Sequence, residues 1–335
     1  MTGRPALRWL GWLALAAAGA ASPRAQEGPR LRLPVACEIG RTCFVQHYVD
    51  ADPGAGAKDF RCGSLTNDGH DGTDFRVPTL AAQQAGVDVV APADGQVLRL
   101  RDGVPDVSVR RAGPESVKDT ECGNGLVIAH EAGLETQYCH LAQGSLAVRS
   151  GERVEAGRRL GRIGLSGLTE FPHLHFTVRR NGRVVDPFAP SAAPGQCGGG
   201  GASLWSAEAE AALAYRPLSV LNAGFATDRV TMEAIEAGEA GRAPVNAAAP
   251  AVVAFVRAIG LQAGDVQRLA LSGPDGRVLR SSEAPALPRN QAQYMMFVGL
   301  PRPQEGWAPG RYEATYTVIR KGETLATHVE RLDLR

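Results

Sequence analysis

The chain has 335 residues, with 36 Lys and Arg against 35 Asp and Glu, and six cysteines. That length accommodates two domains with a core each, and the near-neutral balance lacks the basic excess or stripe that nucleic-acid binding requires. The even number of cysteines favours disulfides, provided that the chain is exported, and none shows the doubled short spacing of a structural zinc site.

Arg4 and Arg8 precede an apolar run from Trp9 to Ala21. About a dozen residues is the length of a secretory signal core and falls short of the ~20 needed to span a bilayer. Residues 1–25 therefore read as a signal peptide, with cleavage after Ala21 or Ala25, and the mature protein is expected to be periplasmic or secreted, with no stable membrane insertion. Residues 26–60 form an irregular lead-in rich in Pro, Gly and Asp, in which Cys37 and Cys43 are close enough to pair. Cys62, Cys122, Cys139 and Cys197 allow three further pairings.

From 61 to 190 the chain reads as short strands with frequent turns: Val87–Val90, Gly95–Leu100, Gly125–His130 and Glu135–His140, the last two joined by a hairpin-length Glu131–Leu134 connection. Pro190, Pro194 and Gly198–Gly201 give 191–217 the composition of a linker, with a short helix at Glu208–Ala214. From 218 to 335 the pattern is again β, with seven or so strands. They run Val220–Ala226, Val252–Ile259, Val266–Ser272, Arg277–Leu279, Tyr294–Leu300, Arg311–Ile319 and Thr327–Leu334, which fits a small immunoglobulin-like sandwich. The whole is expected to be all-β, with the chemistry in the first domain: six of the seven histidines precede residue 200.

Three pieces carry that chemistry: His70-Asp71-Gly72-Thr73-Asp74, Tyr138-Cys139-His140-Leu141 and Pro172-His173-Leu174-His175-Phe176. On a strand, His173 and His175 share one face while Leu174 and Phe176 enter the opposite, apolar layer. Such a strand offers two metal ligands, or one ligand and one histidine beside the metal. His70 and Asp74 flank Gly72, where the backbone can turn sharply enough to bring imidazole and carboxylate together. Three protein ligands with an open fourth position form a catalytic zinc site.

These pieces, with Ala93-Asp94-Gly95-Gln96-Val97 and Gly151-Glu152-Arg153-Val154 through Gly157 to Gly161 between them, stand in the order found in the M23 family of metallopeptidases, the lysostaphin-type cell-wall endopeptidases. The segment from about Asn67 to Pro190 resembles that family, which implies a flattened antiparallel β-barrel or sheet domain, a Zn2+ cofactor, and peptidoglycan stem or bridge peptides as partners. By the resemblance His70, Asp74 and His175 are the metal ligands, and His140 and His173 handle protons beside them. The implied activity is a zinc-dependent endopeptidase acting on peptidoglycan cross-links. Two alternatives stand beside it: a secreted protease cutting Gly-rich protein bonds, and a non-enzymatic regulator of wall amidases. Thr177 stands where the family often has an acidic residue, and the insertion at 101–121 is longer than a minimal hairpin. Both bear on substrate choice. His130 reads as structural, His47 and His328 as solvated, and Cys139 as a disulfide or buried thiol. The C-terminal domain is open to binding wall polymer, a protein partner or nothing.

Overall fold

The computed structural model describes residues 1–3 and 28–335. Apart from its first three residues, the expected signal segment lies outside the described residues. Among those, no helix is long and apolar enough to cross a membrane.

Strand β1 (Phe44–Val45) and β2 (Thr73–Arg76) lead to helix α1 (Leu80–Ala85), then β3 (Asp88–Val90), β4 (Gly95–Arg101) and α2 (Val109–Ala112). There follow β5 (Asn124–Ala129), β6 (Leu134–Leu141), β7 (Arg153–Val154), β8 (Arg159–Arg162), β9 (His173–Arg180) and β10 (Arg183–Val184). They form an antiparallel sheet in the order β1-β2-β9-β6-β5-β4-β7, with β10 paired to β9 and a separate β3–β8 ribbon. Alternation along β9 sets the two sides. Leu174, Phe176 and Val178 are fully buried with Phe75, Tyr138 and Trp205, while His173, His175 and Thr177 occupy the other face.

The core of this domain is wider than its strands. Leu31 and Val35 of the lead-in are part of it, as are Trp205, Ala209 and Leu213 from the stretch of linker composition. There α3 (Ala207–Ala212) is capped by Ser206, whose side chain accepts from the Ala209 amide. Fully burying apolar side chains such as these contributes about 1.5–3 kcal/mol each, so both flanking stretches are tied to the sheet.

The second unit begins with β11 (Ser219–Ala226), α4 (Met232–Ala237) and β12 (Ala251–Ile259), and continues with β13 (Val266–Ser272), β14 (Val278–Ala284), β15 (Tyr294–Pro301), β16 (Gly310–Arg320) and β17 (Glu323–Leu334). Sheets β11-β12-β15 and β14-β13-β16-β17 face one another. The pairing of the second strand with the fifth and the third with the sixth gives an immunoglobulin-like Greek-key sandwich. Strand β16 shows why it folds this way: Tyr312, Ala314, Tyr316 and Val318 are buried in the shared core and their neighbours are not.

Three disulfides join Cys37 to Cys43, Cys62 to Cys197 and Cys122 to Cys139. The second closes a loop of 135 residues around the sheet that carries the histidines. In the chain-entropy account, a loop of that size constrains the unfolded ensemble by about 4–5 kcal/mol. Replacing both Cys62 and Cys197 by Ala should therefore lower the free energy of unfolding by about 4–5 kcal/mol in denaturant titrations. A loss under about 1 kcal/mol would show that the unfolded chain is already confined there.

Candidate active site

The polar face of β9 is the floor of an open cleft. In register, Asp74 of β2 lies opposite His175, and Cys139 of β6 lies opposite it on the other side. Directly opposed residues share a face of the sheet, so Asp74, His175 and the Cys122–Cys139 bridge line the same surface. The cleft walls include Val109 and Glu121 from the 101–121 insertion, Leu168–Phe171, and Ala292 of the sandwich.

The five residues singled out in the sequence meet here around the buried Asp74 carboxylate. Oδ2 lies 3.2 Å from His70 Nε2. Oδ1 lies 3.0 Å from His175 Nδ1 and 3.4 Å from His173 Nε2. The His140 ring stands 4.7 Å from His173 and 6.1 Å from His175, centroid to centroid.

The second nitrogen of each ring fixes its tautomer. A carbonyl oxygen only accepts, so the nitrogen facing it carries the proton. His70 Nδ1 donates to Tyr48 O at 2.7 Å, His140 Nδ1 to Ser166 O at 2.7 Å, and His173 Nδ1 to Phe171 O at 3.0 Å. His175 uses Nε2 instead, 3.0 Å from Asp71 Oδ1. Nε2 of His70 and His173 and Nδ1 of His175 are left facing Asp74. Outward anchoring of this kind is what orients histidines at metal sites.

Backbone detail completes the arrangement. Gly72 adopts no left-handed turn; its lack of a side chain is needed because a Cβ there would lie 2.6 Å from His175 Nε2. The reason for glycine is close approach, where the sequence suggested a sharp bend. His140 sits within β6 at φ 62°, in the left-handed region. That conformation costs an L-residue about 1–3 kcal/mol, and it is held by His140 N donating to Cys122 O and Gly164 N donating to His140 O.

Charge balance follows. Burial raises the Asp74 carboxyl, but the facing His173 and His70 outweigh it and hold the group well below its ordinary value. Burial lowers His175, yet Asp71 and Asp74 push it up to about 9. His70 is likewise raised: burial opposes and Asp74 prevails. Burial, then His173 and His175, drive His140 well below 6.5.

His47 corrects the sequence reading. It is not solvated: its Nδ1 lies 3.0 Å from Asp74 Oδ2 and its ring 5.6 Å from that of His70. It reaches the cleft because 46–47 pairs with the edge of β2, through Gln46 N to Asp74 O and Asp74 N to His47 O. No local motif marks it. His130 is structural, bonded to Asp94 O and Thr136. Potential ligand atoms fall into two trios within 4.8 Å that share Asp74, one with His47 and His70 and the other with His173 and His175. The trio His70, Asp74 and His175 spans both. Buried imidazole nitrogens and one carboxylate suit a divalent ion that accepts N and O donors.

Fold and cleft thus define a β-sheet domain with a histidine–carboxylate site of metallohydrolase type. Residues 68–187 match the model of Peptidase family M23. DD-carboxypeptidase/endopeptidase Mpg of Neisseria meningitidis serogroup B is 35% identical over 102 residues, or 30% of this chain and 21% of that protein. Peptidoglycan DD-endopeptidase ShyB of Vibrio cholerae is 32% identical over 117 residues, 35% and 22% of the two chains. A solved zinc containing peptidase from Vibrio cholerae is 27% identical, with a TM-score of 0.28 over 42% of this chain and 38% of that one. The chain spans about a fifth of the length of these curated relatives, and neither His47 nor the sandwich lies in the family match.

In metal-free protein the His175 ring should titrate near pH 9, and His140 should stay neutral well below pH 6.5. Ring nitrogen NMR reads both directly, and Asp71→Asn should draw the His175 midpoint down. A His175 midpoint at or below 6.5 in the unaltered protein would contradict the Asp71–Asp74 clamp.

Proposed function

We propose that this protein is a zinc-dependent endopeptidase that hydrolyses peptide cross-links of bacterial peptidoglycan. The observation that carries the reading is the convergence of His70, Asp74 and His175 on one point with His140 and His173 beside them, every ring anchored from outside. The printed activities of the M23 relatives, both peptidoglycan or carboxypeptidase/endopeptidase enzymes, support the substrate class. The three disulfides support an exported protein, periplasmic or secreted, as does the apolar N-terminal pattern.

In this reading His70 Nε2, Asp74 and His175 Nδ1 would hold a zinc ion. A bound zinc ion supplies Lewis acidity toward a peptide carbonyl and brings the pKa of water to about 7. The chain supplies the proton handling. His140, kept neutral by burial and by its histidine neighbours, presents an acceptor Nε2. His173 presents another, and between them the two rings take a proton from the attacking water and return one to the leaving amine. Gln137 on the floor and Val109 and Glu121 on the wall line the cleft beside these rings. The complete donor set argues against a purely regulatory protein.

Digestion of purified peptidoglycan with mass analysis of the products tests the reading. The zinc-loaded protein should release peptides with new termini at the cross-links, chelation should stop it, and His175→Ala should lose both bound metal and cleavage. Intact sacculi beside cleaved Gly-rich protein would turn the assignment to a general secreted protease.

His47 Nδ1 bonds Asp74 Oδ2, the oxygen that also faces His70, a position from which such partners usually tune metal affinity by 10–100-fold. His47→Ala is accordingly expected to weaken zinc binding by roughly 10–100-fold in competition with a chromophoric chelator. Unchanged affinity would leave His47 as packing alone.

A further inference from the structure

We infer that the C-terminal sandwich is a working part of the catalytic site: through Gln293 it fixes Arg76, which with Phe171 positions His173. This rests on the proton-handling role proposed for His173.

Arg76 of β2 lies directly opposite His173 of β9, on the polar face of the sheet. It is only 3% exposed. Among the described residues no carboxylate lies within ion-pair distance of it. Its guanidinium is held by two amide oxygens, Gln46 Oε1 at 2.8 Å and Gln293 Oε1 at 3.0 Å, and its Cζ sits 4.3 Å from the centroid of the Phe171 ring. Nε has no partner. A buried cation so thinly supported depends on each contact that remains, and one of the two hydrogen-bond contacts comes from the second domain.

The sandwich side is itself braced. Gln293 Nε2 donates to Glu236 Oε1 at 2.7 Å, Glu236 lies 3.5 Å from the fully buried Arg257, and Arg257 donates to Pro78 O just beyond β2. Gln46 Nε2 donates to Ala292 O at 3.1 Å, which ties the residue next to His47 to the same loop. An apolar seam of Phe44 with Leu221 and Ile259 runs alongside. Loop 292–293 is therefore bonded to β2, which carries Asp74, and to the 46–47 segment that pairs with it.

From Arg76 the contact passes directly to the site. The Phe171 ring lies against both the Arg76 guanidinium and the His173 ring, the two ring centroids 4.6 Å apart. The Phe171 carbonyl accepts the His173 Nδ1 proton and so sets which nitrogen faces the cleft. If Gln293 is removed, the guanidinium loses an acceptor, Phe171 is freed to move, and His173 loses both its stacking partner and its anchor. A ring displaced by about 1 Å can cost as much as 100-fold in rate.

The test uses the full-length, zinc-loaded chain and a soluble cross-linked muropeptide. Gln293→Ala and Phe171→Leu should each lower kcat roughly tenfold, with KM within about twofold and zinc content unchanged. Phe171→Tyr, which keeps a π face for Arg76, should retain kcat. The double variant Gln293→Ala/Phe171→Leu should be no slower than the worse single one, because both act through the same contact. Arg268→Ala, an exposed pair on the far sheet, controls for alterations of the sandwich in general. Amide exchange over 169–173 gives a second readout that needs no turnover: it should quicken in Gln293→Ala while strand β5 keeps its protection. Multiplicative losses in the double variant, kcat unchanged in Gln293→Ala, or unchanged exchange over 169–173 would each overturn the inference. An inert wild-type protein would sink the peptidase reading alone, and the exchange comparison would still decide whether the sandwich braces this loop.

Discussion

Everything in the cleft is arranged around one buried carboxylate. Asp74 is almost wholly removed from water, yet it carries a charge that burial alone would forbid. The compensation comes from imidazoles on every side: His70 from the preceding turn, His47 from the flanking segment, His173 and His175 from the neighbouring strand. A carboxylate so placed requires cations around it, and protons on the rings or a divalent ion can each meet that requirement. Anchoring of the rings from outside prevents them from collapsing away when one form of charge replaces the other.

The sheet supplies the geometry for this. Antiparallel pairing puts Asp74, His175 and Cys139 in a row across three strands, while the apolar residues between them lock the strands to the core below. Precision thus comes from regular elements. The exceptions are local and purposeful: the left-handed His140, and Gly72, which yields its side-chain volume to the His175 ring.

Much of this was legible in the sequence, and the reasons are particular. Period-two alternation in His173–Phe176 exposed both the strand and its polar face, and the strands of the second unit announced themselves by the same pattern, with Gly273–Gly276 turning between two of them. His47 was not legible. Its place depends on a long-range pairing of 46–47 with β2, and nothing in Gln46-His47-Tyr48 signals a partner some 27 positions away. Trp205 was hidden for a similar reason: the glycine-rich run before it has the composition of a tether, and only tertiary packing reveals the indole under β9. Arg76 carried no local signal because its two acceptors, Gln46 and Gln293, lie far from it along the chain, the second of them in the other domain.

The Cys62–Cys197 bridge has a topological consequence. It turns the stretch holding all five of His70, Asp74, His140, His173 and His175 into a covalent ring. Most residues of the insertion at 101–121 are exposed, which makes it a natural point of attack for a foreign protease. A single nick there severs the chain without releasing either piece, since both ends stay tethered through sulfur, and the damaged molecule would separate into fragments only after reduction.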